Sequence, residues 1–160
     1  MTCFVLNNPS DADAVFNDKT TNNCIRIAKE AEVNGKTLKS DGIVIYNVFS
    51  KIAKKPKDLP ADETAIGDSN DVYLSEIPKY KTVILGWGMC HNPPQIGPIW
   101  DKEMRTICNK LQGNTIYCVN GVTTKSRPRH PASKNLTGSD GKIKLVQIRL
   151  LNNGNAKNIY

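Results

Sequence analysis

Four short apolar runs, each halted by a polar or glycine-rich cluster, constrain the fold of this chain most. Thr2-Cys3-Phe4-Val5-Leu6 meets Asn7-Asn8-Pro9-Ser10, and Ile43-Val44-Ile45-Tyr46 meets Asn47. Thr82-Val83-Ile84-Leu85 meets Gly86-Trp87-Gly88. Thr115-Ile116-Tyr117-Cys118-Val119 meets Asn120-Gly121 and then Arg127-Pro128-Arg129-His130-Pro131. Between the runs the spacing becomes helical. Residues 21–33 carry Cys24, Ile25, Ile27, Ala28 and Ala31 in one stripe, with Thr20 or Thr21 as cap and Asn34-Gly35 as stop. Ser69 can cap a short helix through Ile77, ended by Pro78. Residues 98–111 place Ile99, Trp100, Met104, Ile107, Cys108 and Leu111 at helical intervals. Strands alternating with helices predict a three-layer α/β fold around a four-stranded parallel sheet with right-handed crossovers. The nearly unbroken apolar run 43–49 reads as a strand covered on both faces. The alternation Ile143, Leu145, Ile148, Leu150 suggests an extra C-terminal strand. In such a sheet all four stops fall at one edge, outside the carboxyl ends of the strands, where open α/β sheets bind ligands.

A chain of 160 residues fits one domain, taken as residues 1–152 with a flexible polar tail over 153–160. The connection 50–68, with Pro56 and Pro60, is long enough to be functional or mobile. No apolar stretch approaches the roughly 20 residues of a membrane span, and no secretory signal is evident. Five cysteines, Cys3, Cys24, Cys90, Cys108 and Cys118, form no C-x-x-C pair. This pattern suits a reducing, cytoplasmic setting without structural zinc, and no cofactor is expected. The net charge of +7 suits a polyanionic partner such as DNA or a nucleotide, though it also serves solubility. Lys51, Lys54, Lys55 and Lys57 follow the second run, and Lys125, Arg127, Arg129 and Lys134 follow the fourth. Both groups would lie at the crevice edge.

The stops supply the candidate chemistry. Asn8, fixed by Pro9, can orient a water or a ligand amide, or simply belong to a turn. Asp11, Asp13 and Asp18 could each be a general base or a metal ligand, or a solvated loop carboxylate; their spacing matches no calcium loop. Asn47 ends an apolar strand, so its amide needs partners, either a pyrimidine edge or a neighbouring loop. Trp87 packs in the core or walls a base pocket by stacking. His130 can hydrogen-bond a developing anion; His91 can be merely exposed. No phosphate-binding Gly-x-x-x-x-Gly-Lys loop, Gly-x-Gly-x-x-Gly or His-Glu-x-x-His occurs.

With Asn8-Pro9-Ser10-Asp11-Ala12-Asp13 early and Arg127-Pro128-Arg129-His130-Pro131 late, the chain resembles an uncharacterised bacterial and phage family, domain of unknown function 1643. The four stops in order also resemble the landmarks of the uracil-DNA glycosylase superfamily: Asn7-Asn8-Pro9, the strand ending at Asn47, Leu85-Gly86-Trp87-Gly88 and His130-Pro131-Ala132-Ser133. That resemblance implies a uracil-DNA glycosylase-like fold and hydrolysis of an N-glycosidic bond to a pyrimidine-like base in DNA or a nucleotide. It implies that Asn8 positions the water and that His130 stabilises the departing base; Asp11, from the same loop, joins them as a catalytic candidate. On the same resemblance Asn47 would read the base and the backbone around Pro131, Ala132 and Ser133 would hold a phosphate; Trp87 as a base wall and Lys125, Arg127 and Arg129 as phosphate contacts complete the candidates from the residues themselves. Asn8 stands where the hydrolytic carboxylate is usual, and no apolar wedge follows His130-Pro131 except Leu136. A non-catalytic nucleic-acid or nucleotide-binding module using the same crevice is the alternative, and a metal-dependent phosphate-ester enzyme a third.

Overall fold

The computed structural model describes residues 1–9, 18–53, 58–88, 97–134 and 136–159. Asp11, Asp13, His91 and Lys54, Lys55 and Lys57 lie outside the described residues. In chain order the elements are β1 (Thr2–Leu6), α1 (Lys19–Glu30), β2 (Glu32–Val33), β3 (Lys36–Thr37), β4 (Ile43–Asn47), α2 (Asn70–Leu74), β5 (Thr82–Leu85), α3 (Gly97–Lys110), β6 (Ile116–Val119), β7 (Leu145–Leu150) and β8 (Ala156–Asn158).

The central sheet has six strands in the order β4-β1-β5-β6-β7-β8. The first four, formed by the four apolar runs, are mutually parallel. The last two are antiparallel additions, so the sheet is larger and more mixed than the expected four strands plus one. The stretch expected as a flexible tail contributes β8, which pairs Ala156 with Leu150 and Asn158 with Ile148. Its polar side chains hid a strand held by backbone bonding. Register sets Leu6 beside Asn47 and Val5 beside Leu85, so the ends of β4, β1 and β5 are level.

Alternation along the strands separates two apolar layers. Cys3 and Val5, Val83 and Leu85, and Ile116 and Cys118 face a layer completed by Leu74, Trp100, Met104 and Ile107 of α2 and α3. Phe4, Leu6, Ile84 and Val119 face Cys24, Ile27 and Ala28 of α1. Full burial of one such large aliphatic or aromatic side chain stabilises the fold by about 1.5–3 kcal/mol. β1, between two parallel neighbours, is buried throughout. β4 is only half-buried because it is the sheet margin, despite apolar contacts on both faces.

Local chemistry explains the remaining boundaries. Asp18, rather than a threonine, caps α1, its Oδ1 accepting from Thr21 N at 2.8 Å. Asn34-Gly35 does not merely stop the helix. Both residues adopt positive φ (49° and 77°) and form the turn of the small β2–β3 hairpin. The helix after Ser69 ends at Leu74, earlier than the spacing suggested, and a separate 3-10 turn covers Ile77–Lys79. Among the described residues no helix is long and apolar enough to cross a membrane.

Glu103 departs from the pattern. It occupies the core-facing stripe of α3 beside Trp100 and Met104, and its Oε2 is buried without a hydrogen-bond partner. Burial first, then the nearby Asp71 carboxylate, raises its pKa. Between the unfolded and folded values the native state holds a proton that the unfolded chain has released, so stability falls as pH rises through that window. Glu103→Gln is expected to stabilise the protein by about 1 kcal/mol at pH 7 and to flatten this dependence. Urea denaturation of both proteins at pH 4 and pH 7 measures it.

Candidate functional site

The stop after β1 folds inward. Asn7 is buried and its Nδ2 donates to Asn8 Oδ1 at 2.9 Å. Asn8 Nδ2 donates to Pro9 O at 3.0 Å and to Ala53 O at 2.6 Å. Both N–H groups of Asn8 are therefore engaged, one within its own loop and one stitching the β1 loop to the β4 loop, which leaves one lone pair on Oδ1 for a ligand or water. The long connection 50–68 is anchored at its ends: Ser50 N donates to Ile66 O and Lys51 N to Ala65 O, each at 3.2 Å.

Asn47 presents the opposite situation. Its backbone carbonyl accepts from Asn70 Nδ2 at 3.2 Å, but its side-chain Oδ1 is buried and unpartnered. Asn70, a buried amide overlooked by the sequence reading, also donates to Val48 O at 2.8 Å and so fixes the backbone on which Asn47 sits.

The two glycines flanking Trp87 have a steric purpose. A Cβ at Gly86 would lie 2.9 Å from Pro131 Cδ and 3.1 Å from Leu6 Cδ2. A Cβ at Gly88, where φ is +70°, would lie 2.8 Å from His130 Cβ. Gly88 N donates to Pro128 O at 2.9 Å. The missing side chains let the Pro128–Pro131 loop lie directly on the ends of β1 and β5. From the other side, Asn23 Nδ2 of α1 donates to Pro131 O at 2.9 Å. Asn is a poor residue for a helix interior, and that is the sequence signal that would have singled out Asn23.

Trp87 itself belongs to the core and not to a base pocket. It is 2 % exposed, its Nε1 donates to Gly154 O at 3.1 Å, and it packs edge-on against Trp100 with centroids 6.0 Å apart. Arg127 is likewise occupied. Its guanidinium lies 5.7 Å from the Trp100 ring centre and donates to Asn153 O at 2.9 Å, so packing accounts for its placement. Lys125 is exposed in the turn closed by Thr123 and Arg127. Asn120, the fourth stop, ties β6 to Leu136 O at 2.7 Å and to Lys144 N at 3.0 Å.

His130 Nδ1 accepts from Ala132 N at 3.1 Å. Burial pushes its pKa down, opposed by the carboxylate of Asp18. A neutral ring that accepts at Nδ1 carries its proton on Nε2 and is ready to donate there. The unfolded chain binds the proton more readily, so this site contributes stability that is complete above 6.5 and lost as pH falls toward the folded value. His130 is expected to titrate below 6.5 in an NMR pH series, with thermal stability falling as pH drops through the same window; a midpoint above 6.5 would contradict the burial of the ring.

Arg129 Nε and Ser133 Oγ are also buried without partners. Three of the four orphaned buried side-chain atoms among the described residues, Asn47 Oδ1, Arg129 Nε and Ser133 Oγ, thus gather at the carboxyl edge of the sheet. Each costs about 1–3 kcal/mol if nothing answers it. The structure therefore brings Asn8, Asn47, Arg129, His130 and Ser133 to one edge, packs Trp87 in the core and lays the half-buried Arg127 against Trp100. Among the described residues no group of three His, Cys, Asp or Glu side chains is arranged to hold a metal.

Neither a curated protein nor a solved structure matches the chain. A family model does, the protein of unknown function DUF1643, over residues 1–132. That span takes in all four parallel strands and the loop carrying His130, and the chain belongs to the DUF1643 family.

Proposed function

We propose that the protein is an N-glycosylase acting on a pyrimidine-like base, plain or modified, in DNA or a nucleotide. The likeness of its ordered landmarks to those of uracil-DNA glycosylases prompts the reading. The observation that carries it is the set of orphaned polar atoms at the sheet edge that also carries His130, whose Nδ1 accepts from Ala132 N. Asn47 offers an amide to the base edge. Arg129 and Ser133 offer donors to a phosphate.

The chemistry follows from charge. The bond from the sugar C1′ to the base nitrogen breaks, its electron pair stays with the base, and the sugar becomes oxocarbenium-like. His130 Nε2–H donates to the base anion as charge builds, which lowers the barrier more than it stabilises the neutral substrate. Water adds to C1′, held by the remaining lone pair of Asn8 Oδ1, and its proton leaves to solvent or to the base. Asn8 has no carboxylate to take that proton, so the reaction leans on leaving-group stabilisation.

The second reading, a non-catalytic binding module, is favoured by the engagement of both Asn8 N–H groups. The two separate on alkali treatment. A glycosylase leaves alkali-labile abasic sites, in the presence of chelator, on one of a set of DNAs bearing uracil or hydroxymethylated or glycosylated pyrimidines. A binding module retains the same DNAs in a salt-dependent manner and leaves every strand intact.

A further inference from the structure

We infer that the α1-side face of β6, β7 and β8 is a binding surface for single-stranded nucleic acid, separate from the crevice. The starting observation is a cross-strand pair. Register sets Arg149 of β7 directly opposite Lys157 of β8. Like charges so placed repel and weaken the pairing of their strands. Among the described strands no other paired positions set two cations against each other. Both side chains are exposed. Among the described residues the ion pairs lie elsewhere, those nearest along the chain being Lys142–Glu32 and Lys144–Asp140, so no carboxylate offsets the repulsion. An anionic ligand would offset it.

The surroundings indicate which anion. The α1-side layer covers Phe4, Ile84, Val119 and, at its margin, Leu145. It stops there. Gln147 and Arg149 follow Leu145 on the same side of β7 and are exposed, while Ile148 and Leu150 between and beyond them belong to the opposite layer. Tyr117 stands opposite Gln147, half-buried, with its packed side on the α1-side core. Ile159 N donates to Gln147 O at 2.8 Å, which sets Ile159, 47 % exposed, on the other flank of Gln147. One open sheet face thus carries an aromatic ring, an amide and an aliphatic side chain in a row, with two adjacent cations beside them. Phosphates match the cations, and unstacked bases match the ring and the aliphatic surface. A duplex keeps its base faces stacked and would leave Tyr117 and Ile159 unused. The surface also lies away from the crevice. Along β7 the partners in β6 run from Val119 back to Tyr117, so Arg149 and Lys157 lie toward the amino ends of the parallel strands.

The test uses the full chain and the fluorescence anisotropy of a labelled oligothymidylate, with the same label on a DNA duplex for comparison. Arg149→Gln and Lys157→Gln are each expected to weaken single-strand binding about tenfold and to lower the slope of log affinity against log salt by about 0.7, the value for one phosphate contact. Duplex binding is expected to be unchanged in both. Arg105→Gln removes an exposed cation from α3, on the other side of the sheet, and is expected to stay within about twofold of wild type. Lys157→Glu turns the like pair into an opposite pair, so it is expected to raise the thermal midpoint while abolishing single-strand binding. Wild-type protein that does not bind the oligothymidylate, a loss no greater than that of Arg105→Gln, an equal loss on duplex, or a lower midpoint in Lys157→Glu would overturn the inference. None of these measurements depends on base release, so failure here leaves the crevice reading standing, and failure of base release leaves this surface standing.

Discussion

His130→Ala is expected to slow release of the base about 10²–10³-fold, the usual loss when one donor to a developing anion is removed. DNA retention should persist, because the phosphate-facing candidates Arg129 and Ser133 stay in place. The imidazole also helps hold its own loop through Ala132 N, so loop order must be checked separately. His130→Gln keeps a side-chain donor on the same loop and is expected to recover part of the rate. Single-turnover release for the three proteins, beside their thermal midpoints, distinguishes a lost donor from a disordered loop. Equal rates for wild type and alanine variant would remove His130 from the chemistry.

The second large effect concerns a residue that touches no ligand. Gly88→Ala forces a side chain into a left-handed backbone at φ +70° and drives its Cβ to 2.8 Å from His130 Cβ. The backbone strain alone is about 1–2 kcal/mol, and displacement of the packed loop adds to it, so a loss of about 2–4 kcal/mol is expected. Because the displaced atom belongs to His130, base release should fall with stability. Gly97→Ala is the control: a Cβ there meets nothing within 4 Å, at the start of α3. Denaturant titration should show Gly97→Ala within about 1 kcal/mol of wild type. If Gly88→Ala behaves like Gly97→Ala, the packing of the His130 loop on β5 is wrong.

The four parallel strands were legible because each is a compact apolar run with a sharp polar stop, and two buried faces demand that pattern. The convergence of their ends then followed from parallel topology alone. What could not be read was which polar residues at the stops were already satisfied. Asn8 and Asn47 look alike in sequence, yet Asn8 is bonded to a residue 45 positions away and Asn47 Oδ1 is left without a partner. Trp87 was equally ambiguous until Gly154, from a segment read as a tail, supplied the acceptor for its indole. β8 escaped notice because Ala156-Lys157-Asn158 has no apolar alternation; its pairing with β7 is what makes it a strand. Asn23 and Ala53 act only through contacts far apart in the chain.

Amides and imidazole at one sheet edge are proposed to receive a single pyrimidine-like base. Side-chain NMR of ¹⁵N-labelled protein tests it most directly, on addition of a short duplex carrying the base found to be released or, failing release, uracil. The Asn47 amide and His130 Nε2 signals are expected to shift together, in proportion to occupancy. Binding that moves signals elsewhere while both of these stay still would contradict it.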